Sequence, residues 1–305
     1  MSYDIIGDIH GQYDKLVALL TKLGYRETMG TWRHPDRTAI FVGDLIDGKG
    51  NHVATVDLVR SMVDAGAARA VMGNHEFNAI AWATEKPGHP GKYLRCHGDA
   101  NKQTQHKAFL DEVAHPPRYA EIIDWFRTLP LWLDLGGIRV IHACWNEEHM
   151  AMLQPQLGPG TTLTEALIVS SNTKDNPEFE AVEVLCKGVE VELPDGITFR
   201  DKHDKERDTI RVRWWESHPI TYRDAALAPA AIVEQLPYDR VPTECPLRPY
   251  SGPPVFVGHY WLTSRPAPLA PNIACVDYSA GAGGALVAYR WQGEDELRAE
   301  HFEST

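Results

Sequence analysis

Short apolar runs alternate with helical periodicity through the first third of the chain. Residues 3–8, YDIIGD, are an apolar run closing on Gly-Asp, the pattern of a buried strand. Between Gln12 and Leu23, apolar Leu16, Leu19, Leu20 and Leu23 recur three or four residues apart, which marks one face of a helix. TAIFVGD (38–44) predicts a second strand. Val56, Val59, Met62 and Val63 mark a second helix, and ARAVMG (68–73) a third strand. Strand-helix-strand-helix-strand order predicts an α/β sheet with its sites at the C-terminal ends of strands.

The pattern then changes. Residues 86–118 carry Pro87, Pro90, Pro116 and Pro117 around a predicted helix near Gln103–Val113. LWLDLGGIRVIHAC (131–144) predicts a hairpin turning at Gly136-Gly137. Residues 151–250 are the least regular part, with a helix near Thr164–Ser171, a strand pair around VEVELPDGITF and a basic-aromatic RVRWWESHP. Strands resume at PVFVGHY, NIACVDY and GALVAYRW. With neither an internal repeat nor a linker, the expectation is one domain over 1–305 whose middle, about 151–250, is inserted.

The strand ends carry the chemistry. The first closes in GDIHG (Asp8, His10), the second in GDLID (Asp44, Asp47), the third in GNHE (Asn74, His75); later strands close at His142 and His259. A lone Gly-Asp after a strand is a turn, and a lone histidine there is a satisfied polar residue. Five apolar strands that each stop at a metal-binding residue type are not explained by packing. Asp8 and His10, two apart in extended chain, share a face. Asp44 has two carboxylate oxygens with which to bridge two ions, while Asp47 is placed to hold a histidine. Oxygen and imidazole donors without thiolate suit manganese, iron or zinc.

Composition sharpens this. Thirty Lys+Arg against forty-two Asp+Glu give a formal charge of −12, which excludes bulk attraction to nucleic acid or anionic membranes. Two divalent ions against Asp8 and Asp44 leave a local charge of about +2 that draws in an anion. Such a pair, about 3.5–4 Å apart, clamps attacking and leaving oxygens and lowers the pKa of bound water towards about 7. His75, its tautomer fixed by Asp47, is the expected acid for the leaving group. Five scattered cysteines without a CxxC pair, and no leader-like or membrane-spanning run, predict a cytoplasmic chain with reduced thiols.

At these residues the chain resembles the calcineurin-like metallophosphoesterases, most closely their PPP-type branch. That branch contains Ser/Thr protein phosphatases, bacterial relatives and symmetrical diadenosine tetraphosphate hydrolases. The resemblance covers about residues 3–145 well and 254–291 moderately. It implies a four-layer sandwich of two mixed sheets between helical layers. It implies that Asp8, His10 and Asp44 hold one ion, that Asp44, Asn74, His142 and His259 hold the other, and that His75 and Asp47 form the acid pair. The branch has an arginine directly after the second aspartate of GDxVD, which grips the phosphate; here Gly48 and then Lys49 follow Asp47. Lys49, one residue late, is its replacement as a point charge. The branch also carries an arginine between its two late histidines, a role for which Arg213 is the first candidate, Arg211 the second and Arg95 the third.

The expected activity is phosphomonoester hydrolysis of a phosphorylated small molecule or protein, by a metal-bound hydroxide attacking in line. The alternative is hydrolysis of dinucleoside polyphosphates. An inactive metal-binding scaffold, prompted by the missing arginine, is disfavoured because all six ligands, His75 and Asp47 are present. His89, His97, His106 and His115 are expected on surface loops, and Gly281–Gly284 (GAGG) is expected to be only a loop.

Overall fold

The computed structural model describes residues 2–305 except Ala114, 201–205, 217–220 and 243–249. Cys245 lies outside the described residues; Cys96, Cys144, Cys186 and Cys275 are free thiols. The predicted strands form as β1 (Ser2–Ile6), β2 (Arg37–Phe41), β3 (Ala68–Ala70), β4 (Trp132–Asp134), β5 (Arg139–Ile141), β6 (Val255–Val257), β7 (Ile273–Cys275) and β8 (Val287–Trp291). An edge strand, β9 (Phe302–Ser304), was not foreseen.

These strands make two mixed sheets. One has the order β9-β8-β1-β2-β3, with β1, β2 and β3 parallel and β8 antiparallel to β1. The other runs β7-β6-β5-β4, with β6 parallel to both β5 and β7. Tyr3, Ile5, Ile40 and Val42 of the first sheet share one buried cluster with Val140, Phe256 and Ala274 of the second. At about 1.5–3 kcal/mol for each fully buried aliphatic or aromatic side chain, this layer fixes the sheets and the strand ends that emerge from them. The two mixed sheets are those that the resemblance implies.

Local signals explain the helices. In α1 (Tyr13–Leu23) the predicted leucine stripe is buried, and Gly24, at φ 95, ends the helix by donating its N–H to the carbonyls of Leu20 and Thr21. Asn51 caps α2 (His52–Asp64). Helix α3 (Asn74–Ala83) starts where GNHE ends β3. Helix α4 (Ala100–Glu112) begins earlier than expected because the Asp99 carboxylate accepts from the N–H groups of Asn101 and Lys102. Pro116 and Pro117 open α5 (Pro116–Phe126) at the position where a missing N–H costs nothing.

The chain divides into two compact units, Met1–Cys186 with Pro253–Thr305, and Lys187–Gly252. In the second, the strands around VEVELPDGITF do not pair with each other. Glu190–Glu192 pairs with Thr209–Arg211, and Phe199–Arg200 with Glu206–Arg207. A turn at Pro194, whose carbonyl accepts the Ile197 N–H, separates the two segments. Among the described residues, no helix is long and apolar enough to cross a membrane.

Candidate dinuclear metal centre and acid pair

All the strand-end residues belong to the first unit. Asp8, His10, Asp44, Asp47, Asn74, His75, His142 and His259 are buried. Four of them adopt a left-handed backbone, His10 (φ 49), Asp44 (φ 53), Asp47 (φ 67) and His259 (φ 71). Such conformations cost of order 1–3 kcal/mol each and persist only where the surroundings impose them. Here Glu76 supplies much of the constraint. Its fully buried carboxylate accepts the N–H groups of Asp44 (2.9 Å), Leu45 (2.8 Å) and Gly73 (3.0 Å). In turn the Asp44 carbonyl accepts from Ile9 and His10, so the first two strand ends are laced together.

Ring orientations follow from the outer partners. His10 Nδ1 donates to the Ile46 carbonyl at 3.0 Å, and His142 Nδ1 to the Val42 carbonyl at 2.7 Å. A carbonyl only accepts, so each neutral ring presents the lone pair of Nε2 to the site. Asp44 Oδ2 lies 3.3 Å from His142 Nε2 and 3.8 Å from His10 Nε2. Asn74 Oδ1 is 3.2 Å from the same His142 nitrogen. These contacts set acceptor against acceptor, an arrangement that only a proton or a cation satisfies. Asp8 Oδ1, His10 Nε2 and Asp44 Oδ2 are buried without a hydrogen-bond partner in the protein. Such orphaned atoms cost about 1–3 kcal/mol each.

Two donor groups result. His10, Asp44 and His75 offer ligand atoms within 4.8 Å of one another, and so do Asp44, His142 and His259. Asp44 is common to both, as a bridging carboxylate must be. Asp8 stands behind them, with one oxygen on the His259 N–H at 2.9 Å and the other unpartnered. Charge in the site accords with cation binding. Burial, and next the neighbouring Asp277, push the Asp8 carboxyl well above its usual range. Burial and then His75 lower His10 to about 4, which keeps its ring neutral and able to ligate. Burial also disfavours charge on His142, but the neighbouring Asp44 outweighs it and raises the ring to about 10.

His75 points two ways. Its Nδ1 is 2.6 Å from Asp47 Oδ2, and its Nε2 faces Asp44 at 3.8 Å. Burial works against its charged form, yet Asp44 first and Asp47 next raise the ring to about 9. The other oxygen of Asp47 is also engaged, 2.9 Å from His106 Nδ1. Burial would raise the Asp47 carboxyl, but its hydrogen bonds to His106 and His75 hold it well below the usual range.

His106 corrects the sequence reading. Instead of lying on a surface loop it is buried on α4, because Trp82 and Phe109 pack around its ring. His97 also has a defined place, stacked between Trp82 and Tyr93 at 4.1 and 4.0 Å. Gly281 is more than a loop residue. A Cβ there would sit 2.8 Å from His10 Cβ, so only glycine lets this loop close over His10. Asp277, in NIACVDY, accepts from the N–H groups of Trp261 (2.6 Å) and Ser279 (2.9 Å), and the Trp261 ring lies 5.0 Å from that of His10.

The four candidate cations divide. Lys49 is exposed on a loop packed against Gly11, through Gly50. Arg95 is half-buried, its guanidinium held by Asn78 Oδ1 (2.6 Å) and Gln105 Oε1 (2.8 Å) within the field of Asp47. Arg211 and Arg213 belong to the second unit, where Arg211 pairs with Glu190 at 3.0 Å and Arg213 is exposed.

Comparison with known proteins agrees with this geometry. Over 76 residues the chain is 49% identical to bis(5'-nucleosyl)-tetraphosphatase PrpE [asymmetrical] of Bacillus velezensis, a match covering 25% of this chain and 30% of that protein. Over 183 residues it is 27% identical to the symmetrical bis(5'-nucleosyl)-tetraphosphatase of Shewanella oneidensis, covering 60% of this chain and 56% of that one. The matches thus span about a third to just over half of these relatives' lengths. Among solved structures, a protein serine/threonine phosphatase from Saccharomyces cerevisiae superposes with a TM-score of 0.54 at 14% identity, covering 100% of this chain and 79% of that one, a likeness of fold. Residues 1–223 match the family Calcineurin-like phosphoesterase, and to that family the chain belongs.

Proposed function

We propose that the chain hydrolyses dinucleoside polyphosphates of the diadenosine tetraphosphate class. The family makes it a metal-dependent phosphoester hydrolase. Of the two expected substrate classes, the alternative now ranks above phosphomonoesters, because relatives of both the asymmetrical and the symmetrical kind carry the tetraphosphatase name. The observation that carries the reaction is Asp44, one carboxylate common to two donor groups and ringed by orphaned acceptors.

Asp8, His10 and Asp44 would hold one divalent ion and Asp44, Asn74, His142 and His259 the other, with manganese suited to this oxygen-imidazole set. When bound, the ions supply Lewis acidity and a water of lowered pKa. The rest falls to the protein. Water adds to a phosphorus of the polyphosphate and releases its proton to solvent, while the anhydride P–O bond breaks and its electron pair leaves on the departing nucleotide. His75 Nε2 is placed to give its proton to the leaving oxygen, while Asp47 holds Nδ1–H and the ring's orientation. Arg95 supplies positive charge for the phosphates that are not cleaved, the role left open by Gly48. The free thiols among the described residues fit a cytoplasmic enzyme.

With manganese, the wild type is expected to turn over diadenosine tetraphosphate at a kcat/KM far above that for para-nitrophenyl phosphate, with both activities lost in EDTA. Arg95→Ala should raise KM for the dinucleotide more than it lowers kcat. Equal or lower efficiency on the dinucleotide would return the monoesterase reading.

A further inference from the structure

Asp47 is doubly held. Oδ2 meets His75 Nδ1 at 2.6 Å, and Oδ1 meets His106 Nδ1 at 2.9 Å. The carboxylate is buried, as is the His106 ring, so water does not compete for either bond. A carboxylate with a single partner swings about its terminal torsion, which is broad and soft. One with a donor on each oxygen has its plane set by both. His106 stands on α4, thirty-one residues beyond His75, packed by Trp82 on α3 and by Phe109 one turn along its own helix. Since Asp47 has no proton to give, Nδ1 of His106 carries the hydrogen and donates it.

We propose that His106 is a positioning residue for the acid pair: by donating Nδ1–H to Asp47 Oδ1, it fixes the carboxylate so that Oδ2 keeps the His75 ring aimed at the leaving oxygen. The inference rests on the hydrolase reading above, and it adds a third member to an arrangement of which the sequence showed two. His106 touches neither the substrate nor the reacting atoms. It acts through Asp47, as outer partners of ligating histidines do, and removal of such partners commonly costs ten- to a hundredfold. The effect depends on the leaving group. An alkoxide must be protonated as it departs, whereas para-nitrophenolate leaves unaided, so weakening the acid pair penalises the first far more than the second.

The test compares His106→Leu and His106→Asn with wild type, all loaded with manganese, on glycerol phosphate, diadenosine tetraphosphate and para-nitrophenyl phosphate. Asparagine places its amide N–H close to where histidine has Nδ1–H, so it retains the donor. The expected result for His106→Leu is a kcat about ten- to a hundredfold lower on glycerol phosphate, little change on para-nitrophenyl phosphate, unchanged KM and metal content, and recovery in His106→Asn. In parallel, the proton NMR resonance of His75 Nδ1–H in the short bond to Asp47 should shift in His106→Leu and stay in place in His106→Asn. Equal losses on all substrates in both variants, or an unmoved resonance in His106→Leu, would reduce His106 to a packing residue and overturn the proposal. A wild type inactive on all three substrates would instead sink the hydrolase reading, and this inference with it.

Discussion

Asp44→Asn is expected to lower turnover of every phosphoester by about a thousandfold or more, since several kcal/mol of Lewis-acid stabilisation are lost at about 1.4 kcal/mol per decade. The substitution is nearly isosteric. Asparagine keeps an acceptor for the His75 N–H that Asp44 Oδ1 now takes at 3.0 Å, so the start of α3 is retained. What changes is Oδ2. A neutral amide replaces the oxygen that faces His142 at 3.3 Å and His10 and His75 at 3.8 Å. Both donor groups lose their common member at once, so bound metal and activity should fall together. Steady-state kinetics and elemental analysis of the same sample check this. A variant with full metal content and more than a tenth of the activity would refute the bridging role.

His75→Asn is the second large effect, and its size should depend on what leaves. The asparagine amide can keep the hydrogen bond to Asp47, but nothing remains at the position of Nε2, so proton delivery is removed while the pair's packing is preserved. General acid catalysis contributes about 10²–10⁴-fold where the leaving oxygen is strongly basic. Glycerol phosphate should therefore lose about that much in kcat. A nucleotide leaving group is a phosphate, whose second pKa is about 6, and it departs as an anion at neutral pH with little help. The dinucleotide should be penalised far less. Equal losses on the two substrates would assign His75 to metal binding or structure, a role its proximity to His10 and Asp44 makes concrete.

The sequence made the strand ends legible because each donor follows an apolar run within one or two residues, and sheet topology then carries such ends to one place. The leucine stripe of α1 was legible for a similar reason, as its whole period lies in one segment. What escaped was non-local. Helix α4 buries only His106 and Phe109, so it has no apolar stripe to mark an inward-facing histidine. Glu76 stood in plain view within GNHE, but besides the N–H of its own Gly73 it binds those of Asp44 and Leu45 in another segment, which no spacing reveals. Gly281 looked like any turn glycine until the fold set it against His10. Arg211 and Arg213 were candidates because they lie in sequence between His142 and His259, and they belong to the separate Lys187–Gly252 unit.

Anomalous scattering from crystals soaked in manganese tests the central claim most directly. Two peaks should appear about 3.5–4 Å apart, one on each side of the Asp44 carboxylate, with the His10 and His142 Nε2 atoms each facing one of them. A single peak, none at saturating manganese, or a pair bound away from Asp44 would contradict the account.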